Sequence, residues 1–210
     1  MRIVQLTDLH IGKEGEDTFG VDVRQNFLQI LKQAKAQDPD LLVISGDLCY
    51  RDGEAAVYRW IKRQLDQAGF TYEVLSGNHD DPTLMAKVFE RGPLLKGQEL
   101  YFKREYRGRT LLFLDTTTYA VSAPQLEWLS QELAAIDGPA LVFMHHPPLR
   151  SGVPFMDSKH YLRNMESVQE VFFRHPHPVQ VFTGHYHVDK AVQKQNLTVY
   201  ITPSCFFQIG

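Results

Sequence analysis

Short, unbroken apolar runs alternate along this chain with longer stretches patterned at helical spacing. That alternation restricts it to layered α/β architectures, because a buried strand followed by an amphipathic helix must pack as strand on helix. Residues 3–6, 41–45, 72–75, 111–114, 140–144, 179–182 and 198–201 read as strands. Residues 41–44, 111–114 and 140–144 are unbroken apolar runs, as strands covered on both faces are. Helices are predicted over 22–36, with Phe27, Leu31 and Ala34 on one face, and over 54–68, with Val57, Trp60, Ile61 and Leu65 inward and Gly69 as the stop. Asp81-Pro82 opens another helix, which Gly92 is expected to close. Pro124 starts a fourth, with Leu126, Leu129, Leu133 and Ile136 inward, and a fifth covers 164–174. The stretch 99–115 reads as a hairpin across Arg107-Gly108-Arg109, so the sheets are expected to be mixed. The fold class is therefore α/β, with mixed β-sheets packed between helices. No repeat or linker-like change of composition interrupts residues 1–210, which are expected to form one domain.

Composition removes several function classes. A net charge of −3 argues against broad nucleic-acid or membrane-surface binding. No apolar run approaches the ~20 residues of a membrane helix. The N-terminus turns polar at Thr7-Asp8, so no signal peptide is expected, and a cytoplasmic location is. Two cysteines, Cys49 and Cys205, are too few for a disulfide framework or a thiolate zinc site and are expected to be small buried residues. Histidine is the unusual entry in the composition, with nine in the chain.

The polar residues gather where the strands end. The first strand runs into Asp8-Leu9-His10, the second into Gly46-Asp47 and the third into Gly77-Asn78-His79-Asp80. Further on, one strand ends in His145-His146 and another in Gly184-His185-Tyr186-His187. Ligands of α/β sheets bind outside the carboxyl ends of the strands. Carboxylate, imidazole and amide donors without thiolate suit Mn²⁺, iron or Zn²⁺. Asp8, His10, Asp47, Asn78, His145, His185 and His187 are too many donors for one ion. Two divalent ions sharing a bridging carboxylate would use them all, and ion pairs ~3.5–4 Å apart promote in-line displacement at phosphorus. The i, i+2 pairs Asp8/His10 and His185/His187 would each chelate from one extended piece of chain.

These motifs, in this order, resemble the calcineurin-like metallophosphoesterases. Within that superfamily the chain is similar to the class III cyclic nucleotide phosphodiesterases, on the strength of Gly46-Asp47-Leu48, His145-His146-Pro147-Pro148-Leu149, Met156-Asp157, Leu162-Arg163-Asn164 and Thr202-Pro203-Ser204-Cys205. The resemblance implies one ion on Asp8, His10 and His187, a second on Asn78, His145 and His185, and Asp47 bridging. It implies that His79 is the catalytic histidine, over the second ion, where a leaving oxygen takes its proton. The expected activity is hydrolysis of a small phosphodiester, with a 3′,5′-cyclic nucleotide as one candidate. The chain departs from the family in a short loop at 116–122 and in ending soon after the last strand.

Other readings stand beside this one. A phosphomonoesterase or broad-specificity phosphatase could use the same ions. A nuclease is suggested by Asp8-Leu9-His10-Ile11-Gly12-Lys13 but lacks a basic face. A non-catalytic interaction module would not need every ligand position filled. Tyr50 stands where purple acid phosphatases place an iron-binding tyrosine, but His10 is expected to take that position. Arg150, Lys159, His160 and Arg163 are candidates for holding an anionic substrate, His146 has a structural or substrate-facing role, and His175 and His177 read as an exposed loop. Assembly into a homo-oligomer is left open.

Overall fold

The computed structural model describes residues 1–209. Its first part runs β1 (Ile3–Leu6), α1 (Val23–Ala36), β2 (Leu41–Ser45), α2 (Ala55–Ala68), β3 (Tyr72–Leu75) and α3 (Pro82–Val88). Helical crossovers make successive strands parallel, and these three form a sheet in the order β1-β2-β3. Leu6 pairs with Ile44 and Ser45 with Leu75, so the three carboxyl ends lie nearly level. The remainder is β4 (Phe102–Tyr106), β5 (Arg109–Phe113), α4 (Ala123–Ala134), β6 (Ala140–Phe143), α5 (Pro154–Lys159), α6 (Met165–Phe173), β7 (Val179–Thr183), β8 (Lys190–Lys194) and β9 (Leu197–Ile201). They build a six-stranded sheet in the order β4-β5-β6-β7-β9-β8. Strands β5, β6, β7 and β9 are parallel, and β4 and β8 close the two edges antiparallel.

Side-chain alternation splits the larger sheet between two cores. Phe102, Phe113, Phe143, Phe182 and Tyr200 are in-register neighbours on adjacent strands. Their rings stack nearly parallel, with centroids 4.6, 5.2, 5.1 and 5.3 Å apart. Phe102, Phe113 and Phe143 are buried in the core shared with β1–β3, α1 and α2, with Phe182 packed against it. Each such aromatic pair adds about 0.5–1.5 kcal/mol beyond its burial. The intervening residues Leu112, Val142, Val181 and Val199 face the other way, into a second core closed by Leu129 and Leu133 of α4 and Val168 and Phe172 of α6. Two sheets thus pack between outer helices. No helix of the described residues is long and apolar enough to cross a membrane.

Three details differ from the sequence reading. The helix from Pro82 ends at Val88 and not at Gly92, because Glu90 turns left-handed (φ 59°) and Arg91 N–H returns to Ala86 O. Gly92 instead opens a single 3₁₀ turn. Strand β8 and helix α5 were not expected. The first is an edge strand with four of its five residues exposed, and the second has only six residues, too few for a period to show. His175 is buried and not on an exposed loop. Its Nε2 meets Gly138 O at 2.9 Å, and Asn196 Nδ2 donates to the carbonyls of Phe172, His175 and His177 behind it.

Candidate metal centre

Strands β1 and β2 keep pairing after they end. Asp8 N–H donates to Gly46 O, His10 N–H to Asp47 O and Ile11 N–H to Leu48 O, each at 3.0 Å. This zipper sets Asp8 and His10 beside Asp47. The loop after β3 is bolted to the same place by Asp80, a buried carboxylate that accepts from Leu48 N–H, Cys49 N–H, Gly77 N–H and the Tyr58 hydroxyl. From the larger sheet, Gly184 N–H donates to His145 O, and His185 N–H crosses to Asp8 Oδ2 at 2.9 Å. The crossing is tight. A Cβ on Gly184 would run into Thr7 Oγ1 and Asp8 Oδ2, and one on Gly77 into the Asp47 carboxylate. Asp8, His10, Asp47, His185 and His187 all have left-handed backbones, φ 47° to 65°. Non-glycine residues hold that conformation only where the surroundings enforce it, and such strain clusters at functional sites.

The donors converge in two sets. Asp8, His10 and His187 offer atoms within 4.8 Å of one another, as do Asp47, His145 and His185. In the first set His187 Nε2 lies 3.1 Å from Asp8 Oδ1, His10 Nε2 3.3 Å from His187 Nε2, and His10 Nε2 3.8 Å from Asp8 Oδ1. Tetrahedral ligands of a small divalent ion stand about 3.4 Å apart. The second set touches the first, with His145 Nε2 3.2 Å from Asp47 Oδ2 and 3.8 Å from Asp8 Oδ1. His79 joins the rim in a third grouping with His10 and Asp47.

The outer atoms of Asp8, Asp47, His79, His145, His185 and His187 are hydrogen-bonded, which turns their inner atoms toward the centre. Asp8 Oδ2 accepts His185 N–H, and Asp47 Oδ1 accepts His79 N–H. Four imidazoles face a backbone carbonyl: His145 Nδ1 at Ser45 O (2.8 Å), His185 Nε2 at His160 O (2.7 Å), His187 Nδ1 at Phe207 O (2.8 Å) and His79 Nδ1 at Arg51 O (2.7 Å). A carbonyl only accepts, so that nitrogen carries the proton and the other keeps its lone pair, the usual arrangement behind metal-binding histidines. Among the described residues four buried side-chain polar atoms have no hydrogen-bond partner, and Asn78 Oδ1 and His145 Nε2 are two of them. Leaving a buried donor or acceptor unpaired is costly, so these atoms fit coordination to a cation.

Electrostatics agree. Burial opposes the Asp8 and Asp47 charges, but the facing imidazoles, His145 foremost, outweigh it and hold both carboxyls well below the usual range. Burial would lower His145, yet Asp47 and Asp8 lift it to about 9. His185, buried beside His145, drops to about 3 and is neutral, ready to donate a lone pair. His10, Asp47, Asn78, His79, His185 and His187 line a cavity of about 670 Å³ together with Phe19, Tyr50, Tyr119, His160 and Phe206.

Asp8, His10, Asp47, Asn78, His79, His145, His185 and His187, all singled out by sequence, are brought to this one place. Against the expectation from their spacing, the i, i+2 pairs do not chelate from extended chain. The segments are left-handed, not extended, and His185 and His187 face different donor sets. His79 stands 5.2 Å, ring to ring, from His10 of the first set. His146 is fully buried, its Nδ1 on the Thr116 hydroxyl and its ring 4.1 Å from that of His185, so it faces the protein and not the cavity. Of the four cationic candidates His160 lines the cavity, while Arg150, Lys159 and Arg163 lie over the rings of Tyr161, Phe155 and Tyr119. Tyr50 lines the cavity, its ring edge-on to those of Phe19 and Phe206. Sequence reasoning missed the carbonyls that orient the histidines, the Asp80 bolt and the aromatic residues 19, 206 and 207.

A family model described as calcineurin-like phosphoesterase matches residues 1–189. The chain belongs to that family. It is thus an enzyme, a metal-dependent phosphoesterase. A Fibrobacter succinogenes protein named "Probable cyclic nucleotide phosphodiesterase" is 36% identical over 209 residues, covering 100% of this phosphoesterase and 81% of the relative. The Escherichia coli K12 protein named 3′,5′-cyclic adenosine monophosphate phosphodiesterase CpdA is 27% identical over 217 residues, covering 99% and 77%. Among solved structures, a dimetal phosphatase from Danio rerio superposes with a TM-score of 0.76 at 14% identity, over 97% of this phosphoesterase and 87% of that chain. At such identity the likeness concerns the fold alone.

Proposed function

We propose that this phosphoesterase is a two-metal phosphodiesterase acting on a small diester, with a 3′,5′-cyclic nucleotide as the first candidate. The observation that carries the reading is the pair of donor sets that meet at Asp47. Asp8, His10 and His187 would hold one divalent ion, Asn78, His145 and His185 the other, and Asp47 would serve both. Hard and borderline donors without thiolate suit manganese, iron or zinc. When bound, such ions supply Lewis acidity toward phosphoryl oxygens and an activated water near neutral pH.

The chain's own residues do the rest. Asp8 and Asp47 bring two negative charges against the four positive charges of two divalent ions, which leaves the pocket attractive to an anionic ester. With Nδ1 held by Arg51 O, His79 presents Nε2 to the cavity, where as an imidazolium it would protonate the departing alkoxide. The names of the Fibrobacter and E. coli relatives support the choice of a cyclic nucleotide. The test is turnover by Mn²⁺-loaded protein of cyclic AMP, glycerophosphodiesters, bis-p-nitrophenyl phosphate and p-nitrophenyl phosphate. Diesters should be preferred. A clear preference for the monoester would replace this reading with a phosphomonoesterase.

A further inference from the structure

The cavity has two unlike sides. One carries the carboxylates and ring nitrogens. The other is aromatic and begins at Phe206, whose ring lies 5.4 Å from that of His10. Phe19 follows, nearly parallel to Phe206 (17°) at 6.4 Å, and Tyr50 stands edge-on to both, at 6.1 and 5.9 Å. Phe19 is 75% exposed, so its ring contributes almost nothing to the core. Its backbone is left-handed as well (φ 55°), a conformation that bulky residues avoid. A tight turn keeps it there: Gly20 N–H donates to Asp17 Oδ1 at 2.9 Å and Val21 N–H to Thr18 O at 3.0 Å. The chain therefore holds a large apolar ring, against both solvation and backbone preference, at the mouth of a phosphoester site to which it gives no metal donor.

We propose that Phe19, backed by Phe206, is a specificity wall that stacks a planar, uncharged ring of the substrate while the ester phosphate sits at the donor sets. The inference rests on the phosphoester reading of those sets. The row from His10 through Phe206 to Phe19 has the reach of an ester substituent, with phosphate at one end and a heteroaromatic ring at the other. Flat, nearly parallel phenyl faces suit a stacked ring, and a cavity of about 670 Å³ suits a small molecule.

The test uses Mn²⁺-loaded wild type, Phe19→Ala, Phe19→Leu and, as a control on the outer face of α1, Leu28→Ala. Calorimetry measures binding of adenosine 5′-monophosphate and of ribose 5-phosphate, which differ by the base. Wild type should favour the nucleotide. That preference should fall about tenfold in Phe19→Ala, fall less in Phe19→Leu and persist in Leu28→Ala. Turnover of thymidine 5′-(4-nitrophenyl phosphate) against methyl 4-nitrophenyl phosphate should shift in the same ratio. Equal affinity for the two ligands in wild type, or an unchanged preference in Phe19→Ala, overturns the wall. An unchanged preference with a loss of self-association by sedimentation would assign Phe19 to a contact with a second copy instead. Turnover of monoesters alone would overturn the diester reading and leave the binding ratio to decide the wall.

Discussion

The two sheets contribute to the centre in different ways. The three-stranded sheet supplies both carboxylates, Asp8 and Asp47, on loops that are zipped together by their own backbone and bolted by Asp80. The six-stranded sheet supplies imidazoles only, and each is aimed by a carbonyl from another part of the chain: Ser45 for His145, His160 for His185 and Phe207 for His187. One side sets the charge and the other sets lone-pair direction. Charge attracts cations over distance, whereas a lone pair must point, so the two sides should fail differently when perturbed.

The largest effect should follow loss of charge at the shared position. In Asp47→Ala the second ion should be absent and the first weakly held, and diester turnover should drop roughly 10³-fold, because the electrostatic stabilisation of the transition state is worth several kcal/mol. His145→Ala should lose one ion and keep the other. Elemental analysis of dialysed protein separates the two variants. If wild type saturates at one ion, or if His145→Ala is as depleted as Asp47→Ala, the division between a charge side and a direction side is wrong.

His79 belongs to the carboxylate side by position but supplies no charge when neutral, and its removal asks whether that side also carries the chemistry. Loss of general acid catalysis costs ~10²–10⁴-fold where the leaving oxygen is an alkoxide and much less where it is p-nitrophenolate, which departs unaided. His79→Ala should therefore lose activity mainly on alkyl diesters, with metal content unchanged. Equal losses on both ester types, or loss of an ion, would make His79 a support for the loop.

The seam between the sheets is the next place to probe. Gly184 lies where a Cβ would meet Thr7 Oγ1 and Asp8 Oδ2. Overpacking a tight contact costs about 1–3 kcal/mol. Gly184→Ala should lower Tm by several degrees and weaken metal binding on both sides together. A variant as stable as wild type would show that the seam has slack.

Much of this was legible in the letters. The strands of the central layers are mostly apolar, and β1, β2 and β3 begin and end where the pattern does. The donors stand at strand ends, which the fold class brings to one edge. What the letters hide is whatever lacks a side-chain signature. Any residue can supply a carbonyl, so nothing marks His160 or Phe207 as the partner of a histidine 25 or 20 positions away. Left-handed backbone at Asp8 or His185 is imposed by packing, not by residue type. Strand β8 is mostly exposed and α5 is one and a half turns, so neither carries a period long enough to read. Phe19 and Phe206 meet only after the whole chain has folded, and their spacing in sequence says nothing of it.

The smallest predicted effect concerns direction alone. Asp157 touches no donor. It accepts the N–H groups of Ser151, Gly152 and Val153, at 3.1, 2.8 and 3.1 Å, and the Tyr186 hydroxyl at 3.0 Å. It thereby pins the start of α5 beside the loop that carries His185. At the far end of α5, His160 O accepts a hydrogen bond from His185 Nε2–H. Asp157→Ala leaves every donor present but frees the element that aims one of them. Loss of an orienting partner costs about tenfold or somewhat more in metal affinity. A stepwise Mn²⁺ titration should show one site weakened by about that factor. The site on Asp8, His10 and His187 should hold, because His187 is aimed by Phe207 from a different segment. If Asp157 merely supports the fold, both sites should weaken together and in step with Tm. Equal weakening would remove lone-pair direction as the contribution of the larger sheet and leave charge as the only term that distinguishes the two sides.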